Sequence, residues 1–335
     1  MIHKILTRYT PNEIVLKKQI NYVFIKVNSR CNAQCEFCNS WATKEDVLGV
    51  DYKKVIEELI NIKPLEINLS GGEVFVAKYF WPMLEAAGGK LVWSVTTNGS
   101  SMNHKTIDRL VENNVKRLLL SIDSYVPEQN NQSRGIDGVF ERICDGVNYI
   151  REQQYDIKII VNHVVTRRNY NQIKEFLKFF HELGVDAVNL LPIKDTPDLY
   201  LNLEQIEEFY RQIEETIQKK EIAKDFFVNE YYEIFGCSET DFESASKGNY
   251  LYKEKTECIM PYNTIFIDFE SGKVYPCDTT LWRENNQQYV MGNINQSSIE
   301  EIWKAEKFER FRMDMCPNMK YDCYKYCDPN NRFWE

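Results

Sequence analysis

No stretch of eighteen or more apolar residues occurs in the 335-residue chain, so no segment reads as a membrane-spanning helix. The opening residues, MIHKILTRYTPNEIVLKKQ, lack the continuous hydrophobic stretch and small-residue cleavage site of a secretory signal. A cytoplasmic protein with no membrane partner is expected. Positive charge is also short: 41 Lys and Arg face 50 Asp and Glu, a net charge of −9. Such a chain repels phosphate backbones on average, so nucleic acid is not an expected partner. Histidine is scarce, with four in all. Low-complexity tracts are absent, and no repeat exists beyond an alternation of strand and helix patterns. The remainder, 43% hydrophobic and 27% charged, is globular and long enough for one large domain and a smaller one.

What the chain does have is cysteine, and it is clustered. Cys31, Cys35 and Cys38 lie near one end, and Cys258, Cys277, Cys316, Cys323 and Cys327 near the other. Cys144 and Cys237 stand alone; Cys144, in an amphipathic pattern, reads as inert core. In a reducing compartment disulfides are rare, and grouped cysteines bind metal or do chemistry.

From residue 21 to about 195, apolar β-branched runs alternate with amphipathic helical patterns. Strands are predicted at 21–29, 66–72, 91–99, 117–123, 156–166 and 187–194, and helices at 51–62, 105–114, 140–153 and 171–184. This alternation predicts an α/β fold with parallel strands, and six units fit a partial (β/α)6 barrel. The strands read as continuous apolar runs, as in a sheet covered by helices. Chemistry in such folds gathers at the carboxyl ends of strands. Residues 124–138 and 241–249 read as polar loops. Residues 263–277 read as a β-hairpin turning at Ser271-Gly272, and 297–312 as one amphipathic helix. The expected division is an N-terminal extension (1–20), a barrel core (21–200), a helical bridge (201–250) and a small C-terminal hairpin-plus-helix domain that holds the second cysteine group (251–335).

The segment NSRCNAQCEFCNSW places Cys31-x₃-Cys35-x₂-Cys38 directly after the first strand. Three thiolates on a short loop reach three corners of an iron–sulfide cube. A fourth cysteine or a nearby histidine is missing, which leaves one iron open, the mark of a catalytic rather than structural centre. Structural zinc or a simple electron-transfer centre is the alternative.

This spacing, its place after the first strand, and Phe37 beside the third cysteine resemble the radical S-adenosylmethionine (SAM) enzymes. The resemblance implies a [4Fe-4S] cluster whose open iron is chelated by the amino and carboxylate groups of SAM, with Phe37 near the adenine. Ser70-Gly71-Gly72-Glu73, at the second strand end, resembles the segment that binds the methionine amino group. Thr97 and Asn98, and then Ser121 and Asp123, resemble ribose- and carboxylate-binding positions; Asn162 is a further candidate. The implied reaction is one-electron cleavage of SAM to methionine and a 5′-deoxyadenosyl radical, which removes a hydrogen atom from a substrate carbon.

The second group of cysteines brackets the hairpin and follows the last helix, an arrangement that resembles the SPASM/twitch extensions of these enzymes, which carry auxiliary [4Fe-4S] clusters. Zinc is the rival on ligand type alone. Met313 stands where a CxxC would begin and no cysteine follows Cys327, so five thiolates predict one auxiliary cluster. The expected ligands are Cys258, Cys277 and Cys327, with Cys323 or Cys316 as the fourth. Oxidation of the substrate radical through that cluster is the leading expectation. Epimerisation, with Cys237 or a spare thiol returning a hydrogen atom, is the alternative. Arg134, in a polar loop, is a candidate anchor for a substrate carboxylate or phosphate. His163 reads as a satisfied histidine rather than a base. The substrate is expected to be a sugar-like small molecule or a peptide, and the electron donor a flavodoxin or ferredoxin. A non-catalytic zinc or iron–sulfur scaffold is the rival from another class.

Overall fold

The computed structural model describes residues 17–228, 231, 234–249, 258, 260–281 and 285–315; Cys316, Cys323 and Cys327 lie outside the described residues. Strands β1 (Tyr22–Asn28), β2 (Glu66–Gly71), β3 (Trp93–Thr97), β4 (Val115–Ser121), β5 (Lys158–Val165) and β6 (Ala187–Pro192) alternate with helices. The helices are α1 (Tyr52–Ile62), α2 (Phe80–Ala86), α3 (His104–Glu112), α4 (Pro127–Arg134), α5 (Val139–Glu152) and α6 (Ile173–Glu182). Then come α7 (Leu203–Gln218), α8 (Glu239–Ser246), β7 (Thr264–Asp268), β8 (Lys273–Tyr275), β9 (Gly292–Asn293), α9 (Ile299–Lys304) and α10 (Glu306–Met315). Local chemistry sets many helix starts. Asp51 accepts from the Lys53 and Lys54 amides, Asn103 from Thr106, and Asn202 and Ser298 form capping boxes with Gln205 and Glu301.

One sheet runs in the order β6-β5-β4-β3-β2-β1-β7-β8-β9. It is parallel from β6 through β1 to β7, then antiparallel. The expected partial barrel is present. The C-terminal hairpin does not form a sheet of its own: β7 pairs with β1 from Tyr22↔Thr264 to Lys26↔Asp268 and so extends the barrel sheet.

Side chains alternate across a strand, and the two faces differ in character. Val23, Ile25, Ile67, Leu69, Val95, Leu118, Leu120, Val161 and Val188 have no exposed surface and join the core under the helices. The register puts Lys26, Asn68, Ser70, Ser94, Thr96, Ser121, Asn162 and Asn189 on the opposite, concave face. The concave face therefore mixes these polar side chains with apolar ones. A small cluster of Leu119, Ile160 and Ala187 on that face is covered by Val228, whose amide bonds Val188.

Three local readings change. The stretch 124–138 contains α4, started by Pro127 and stopped by Gly135 in a left-handed turn (φ 63°). Residues 239–246 are helical rather than loop. The helix expected over 297–312 divides at Ala305, whose backbone is extended. Phe209, Ile213, Phe226, Phe227 and Tyr231, from the region expected as a bridge, belong to the same core as the barrel. Among the described residues no helix is long and apolar enough to cross a membrane.

Candidate functional site

The three cysteines follow β1, and the ends of β2, β3 and helix α4 hold their loop. Gly72 and Glu73 donate their amides to the carbonyls of Asn28 (2.8 Å) and Arg30 (2.9 Å). The two glycines are needed for this approach. A Cβ on Gly72 would sit 2.2 Å from the Arg30 carbonyl oxygen, and one on Gly71 (φ 144°) 2.3 Å from that of Asn28. Gly72→Ala is therefore expected to cost about 1–3 kcal/mol through forced backbone movement, read as a lower melting temperature and lower iron content after reconstitution.

Glu73 is fully buried. It accepts from the Thr97 hydroxyl (2.7 Å), the Asn98 amide (2.7 Å) and the Phe75 amide (3.3 Å), so β2 and β3 meet at its carboxylate. Burial raises its pKa to about 7, against the lowering effect of those three bonds. Asn28, not singled out from sequence, is fully buried and donates to the Glu73 carbonyl (3.1 Å).

Each cysteine sulfur has a polar neighbour. The Asn98 amide group lies 3.8 Å from Cys31 Sγ and donates to Asn32 Oδ1 at 2.9 Å. The Ala33 amide donates to Cys31 Sγ at 3.4 Å. Ser40 Oγ stands 3.4 Å from Cys38 Sγ. Arg134 Nη1 reaches to 3.8 Å of Cys35 Sγ, and the Arg134 carbonyl accepts the Gln34 amide at 3.0 Å. Burial pushes the Cys31 and Cys35 thiols up, and the Arg134 charge partly offsets this at Cys35.

Arg134 is buried and committed within the protein. Its Nη2 donates to Asp123 Oδ1 at 2.8 Å, while Nε is 2.8 Å from Oδ2, close enough for charge pairing but not aligned as a hydrogen bond. Its guanidinium also lies 5.6 Å from the Phe37 ring centre. The structure thus gives Arg134 to Asp123 and the cysteine loop, rather than leaving it open as an anchor for a substrate acid. The same pairing occupies the Asp123 carboxylate, which also accepts from Ser133 (3.2 Å).

Ser121, the last residue of β4, pairs in register with Asn162 within β5, and Asn162 accepts from Asn189 of β6 at 2.9 Å. Asn189 was not legible as a site residue. Its own Oδ1 is buried without a hydrogen-bond partner among the described residues. Ser70 sits half-buried on the concave face. His163 is fully buried and neutral, its pKa lowered by burial to about 4, with Nδ1 at 3.2 Å from the Ile122 carbonyl; it is no general base. Burial pushes Cys144 up to about 11, as suits a packed, unreactive thiol.

Cys258 precedes β7 and Cys277 follows β8, both half-buried, so the hairpin does bracket them. Cys237 is exposed at the entry to α8, its amide bonded to Asp241. Among the described residues no three His, Cys, Asp or Glu side chains gather tightly enough for a single metal ion. The fit of an iron–sulfur cluster to the first loop rests on its donor set: three thiols, each beside a group able to donate a hydrogen bond to a thiolate.

Residues 25–180 match the model of the Radical SAM superfamily, and residues 258–329 match SPASM, an iron-sulfur cluster-binding domain. The "Tungsten-containing aldehyde ferredoxin oxidoreductase cofactor-modifying protein" of Pyrococcus furiosus is 27% identical, covering 88% of this chain and 83% of that protein. The "PqqA peptide cyclase" of Rhodopseudomonas palustris is 22% identical over 87% of this chain and 75% of that protein. Among solved structures, Streptococcus suis SuiB bound to its precursor peptide SuiA superposes with a TM-score of 0.65. It is 17% identical and covers 88% of this chain and 67% of that one. Such a domain pair carries a [4Fe-4S] cluster with SAM and auxiliary iron–sulfur clusters. From the strand-end site and the two domain matches, the chain carries a radical SAM domain over residues 25–180 and a SPASM domain in its C-terminal region.

Proposed function

We propose that Cys31, Cys35 and Cys38 ligate a [4Fe-4S] cluster with one open iron for SAM, and that the enzyme oxidises an unactivated carbon of its substrate. The observation that carries this reading is the loop after β1, where three thiols each meet a polar group from the surrounding chain. When bound and reduced, the cluster and SAM supply a 5′-deoxyadenosyl radical that removes a substrate hydrogen atom. The chain's own residues position that chemistry. Gly71 and Gly72 let the backbone close on the loop. Glu73 offers an acceptor for the methionine ammonium, Thr97 and Asn98 orient Glu73, and Phe37 borders the adenine side. Ser121, Asn162 and Asn189 supply polar groups on the concave wall for the ribose or the substrate.

Cys258, Cys277 and Cys327, with Cys323 or Cys316, are assigned to one auxiliary [4Fe-4S] cluster. When bound there, such a cluster would supply an acceptor for the electron of the substrate radical, with the proton going to solvent and a desaturated or cross-linked product left behind. A flavodoxin or ferredoxin is the electron partner this redox chemistry requires. The names of the relatives, a peptide cyclase and a cofactor-modifying protein, favour a peptide or cofactor precursor over a sugar. Epimerisation through Cys237 is the weaker reading, because an exposed thiol lacks the enclosure that hydrogen return to one face requires.

Iron counting tests the assignment. The wild type is expected to hold about eight irons as two cubanes, and the Cys31→Ala/Cys35→Ala/Cys38→Ala variant about four. Equal iron in both proteins would sink it. For the reaction class, turnover in deuterated water should leave no solvent deuterium at the attacked carbon; deuterium there would mean epimerisation.

A further inference from the structure

The turn between β7 and β8 does more than close a hairpin. Glu270 in that turn reaches back across the β1–β7 pairing to the first residue beyond β1. Its carboxylate accepts the Ser29 amide at 2.7 Å and the Ser29 hydroxyl at 2.5 Å, and pairs with Lys26 of β1 at 2.6 Å. Ser29 stands two residues before Cys31, so these bonds fix the chain where it leaves the strand for the cysteine loop.

The grip is itself held. The Phe269 amide bonds the Lys26 carbonyl at 3.1 Å, and the Phe269 carbonyl accepts the Gly49 amide at 2.8 Å. A Cβ on Gly49 would stand 2.1 Å from the Glu270 carbonyl oxygen, so backbone presses on backbone there. Lys26 also lies 3.5 Å from Asp268, whose other oxygen accepts from Ser271 at 2.6 Å. Lys26, Asp268 and Glu270 side chains are 10%, 9% and 16% exposed, which makes these bonds directional constraints rather than loose surface pairs.

Two carboxylates share one ammonium. Lys26 needs only one of them for neutrality, and Asp268 is already beside it. The second, Glu270, is the one turned onto Ser29. A pair that merely fastened β7 to β1 would not require this.

We propose that Glu270 is a positioning residue for the radical SAM centre: from the C-terminal hairpin it sets the conformation of the Ser29–Cys31 segment, and through it the place of the open iron. The assignment is independent of the substrate and of oxidation against epimerisation. It rests on Cys31, Cys35 and Cys38 carrying the cluster.

The test is a SAM titration of the reduced, reconstituted protein, followed by the change SAM makes in the electron paramagnetic resonance signal. In Glu270→Ala the cluster still assembles, and the SAM concentration for half the spectral change rises roughly tenfold, the scale of losing hydrogen bonds to a charged group. Glu270→Gln keeps an acceptor for Ser29 and leaves Lys26 paired with Asp268, so it restores most of the response. Ser29→Ala, which removes only the hydroxyl, raises the SAM requirement about threefold, and it decides the matter if Glu270→Ala does not fold. A wild-type titration curve in Glu270→Ala, or in Ser29→Ala where the first variant does not fold, would overturn the proposal. An iron signal absent from the wild type as well would instead count against the three-cysteine assignment.

Discussion

Arg134→Met is expected to destabilise the metal-free protein by about 3–5 kcal/mol, the usual result of leaving one member of a buried ion pair alone. Arg134 and Asp123 are each almost wholly shielded, with 7% and 4% of their side chains exposed. Removing the guanidinium leaves the buried Asp123 carboxylate without its cation, with the Ser133 hydroxyl still donating to it. It also removes the nearest cation from Cys35 and the face above Phe37. Against a typical total of about 5–15 kcal/mol, such a loss is large. Urea unfolding checks it. The double variant Arg134→Met/Asp123→Leu separates the two roles, because replacing both partners with apolar groups is often neutral. Its stability is expected to return while the cluster's reduction potential stays shifted, since hydrogen bonds to ligand sulfur raise that potential. A double variant with a wild-type potential would remove Arg134 from the cluster's surroundings.

The second large effect belongs to Glu73. Its carboxyl has a pKa of about 7 in the folded protein against an ordinary 4.5. Folding has raised this value, so the stability it contributes is complete below pH about 4.5 and lost as pH rises through about 7. The difference corresponds to about 3 kcal/mol. Metal-free wild type should therefore lose about that much between pH 5 and pH 8 from this group, and Glu73→Gln should flatten the slope. An unchanged slope would show that Glu73 ionises freely. Binding of SAM places an ammonium beside this carboxyl on the proposed reading and favours its charged form. Near pH 7 about half a proton should then be released, visible as a buffer dependence of the binding heat. In Glu73→Gln the proton release should vanish, with SAM affinity lower by roughly tenfold or more.

Local signals carried most of this site. The cysteine spacing, the paired glycines before Glu73 and the Thr97-Asn98 strand end are each a few adjacent residues, and strand ends locate themselves once six alternating units are seen. What escaped was long-range or compositionally disguised. The pairing of β7 with β1 joins residues some 240 apart, and with it came the Lys26–Glu270 contact. Helix α4 has no apolar stripe, so its polar sequence read as loop, although Pro127 at its start and Gly135 at its end were both present as signals. Arg134 and Asp123 were each singled out, but nothing in the sequence says that they face one another; only the fold of α4 back onto the cysteine loop does that. Asn189 was hidden in an apolar run, because alternation of faces is hard to see when one polar residue interrupts five apolar ones.

The most direct test is chemical. Purified without oxygen, loaded with iron and sulfide, and supplied with SAM and dithionite, the protein should form 5′-deoxyadenosine and methionine, and Cys31→Ala, Cys35→Ala and Cys38→Ala should each form none. A fully loaded wild type that leaves SAM intact, or single-cysteine variants that cleave it as well as the wild type, would contradict the account.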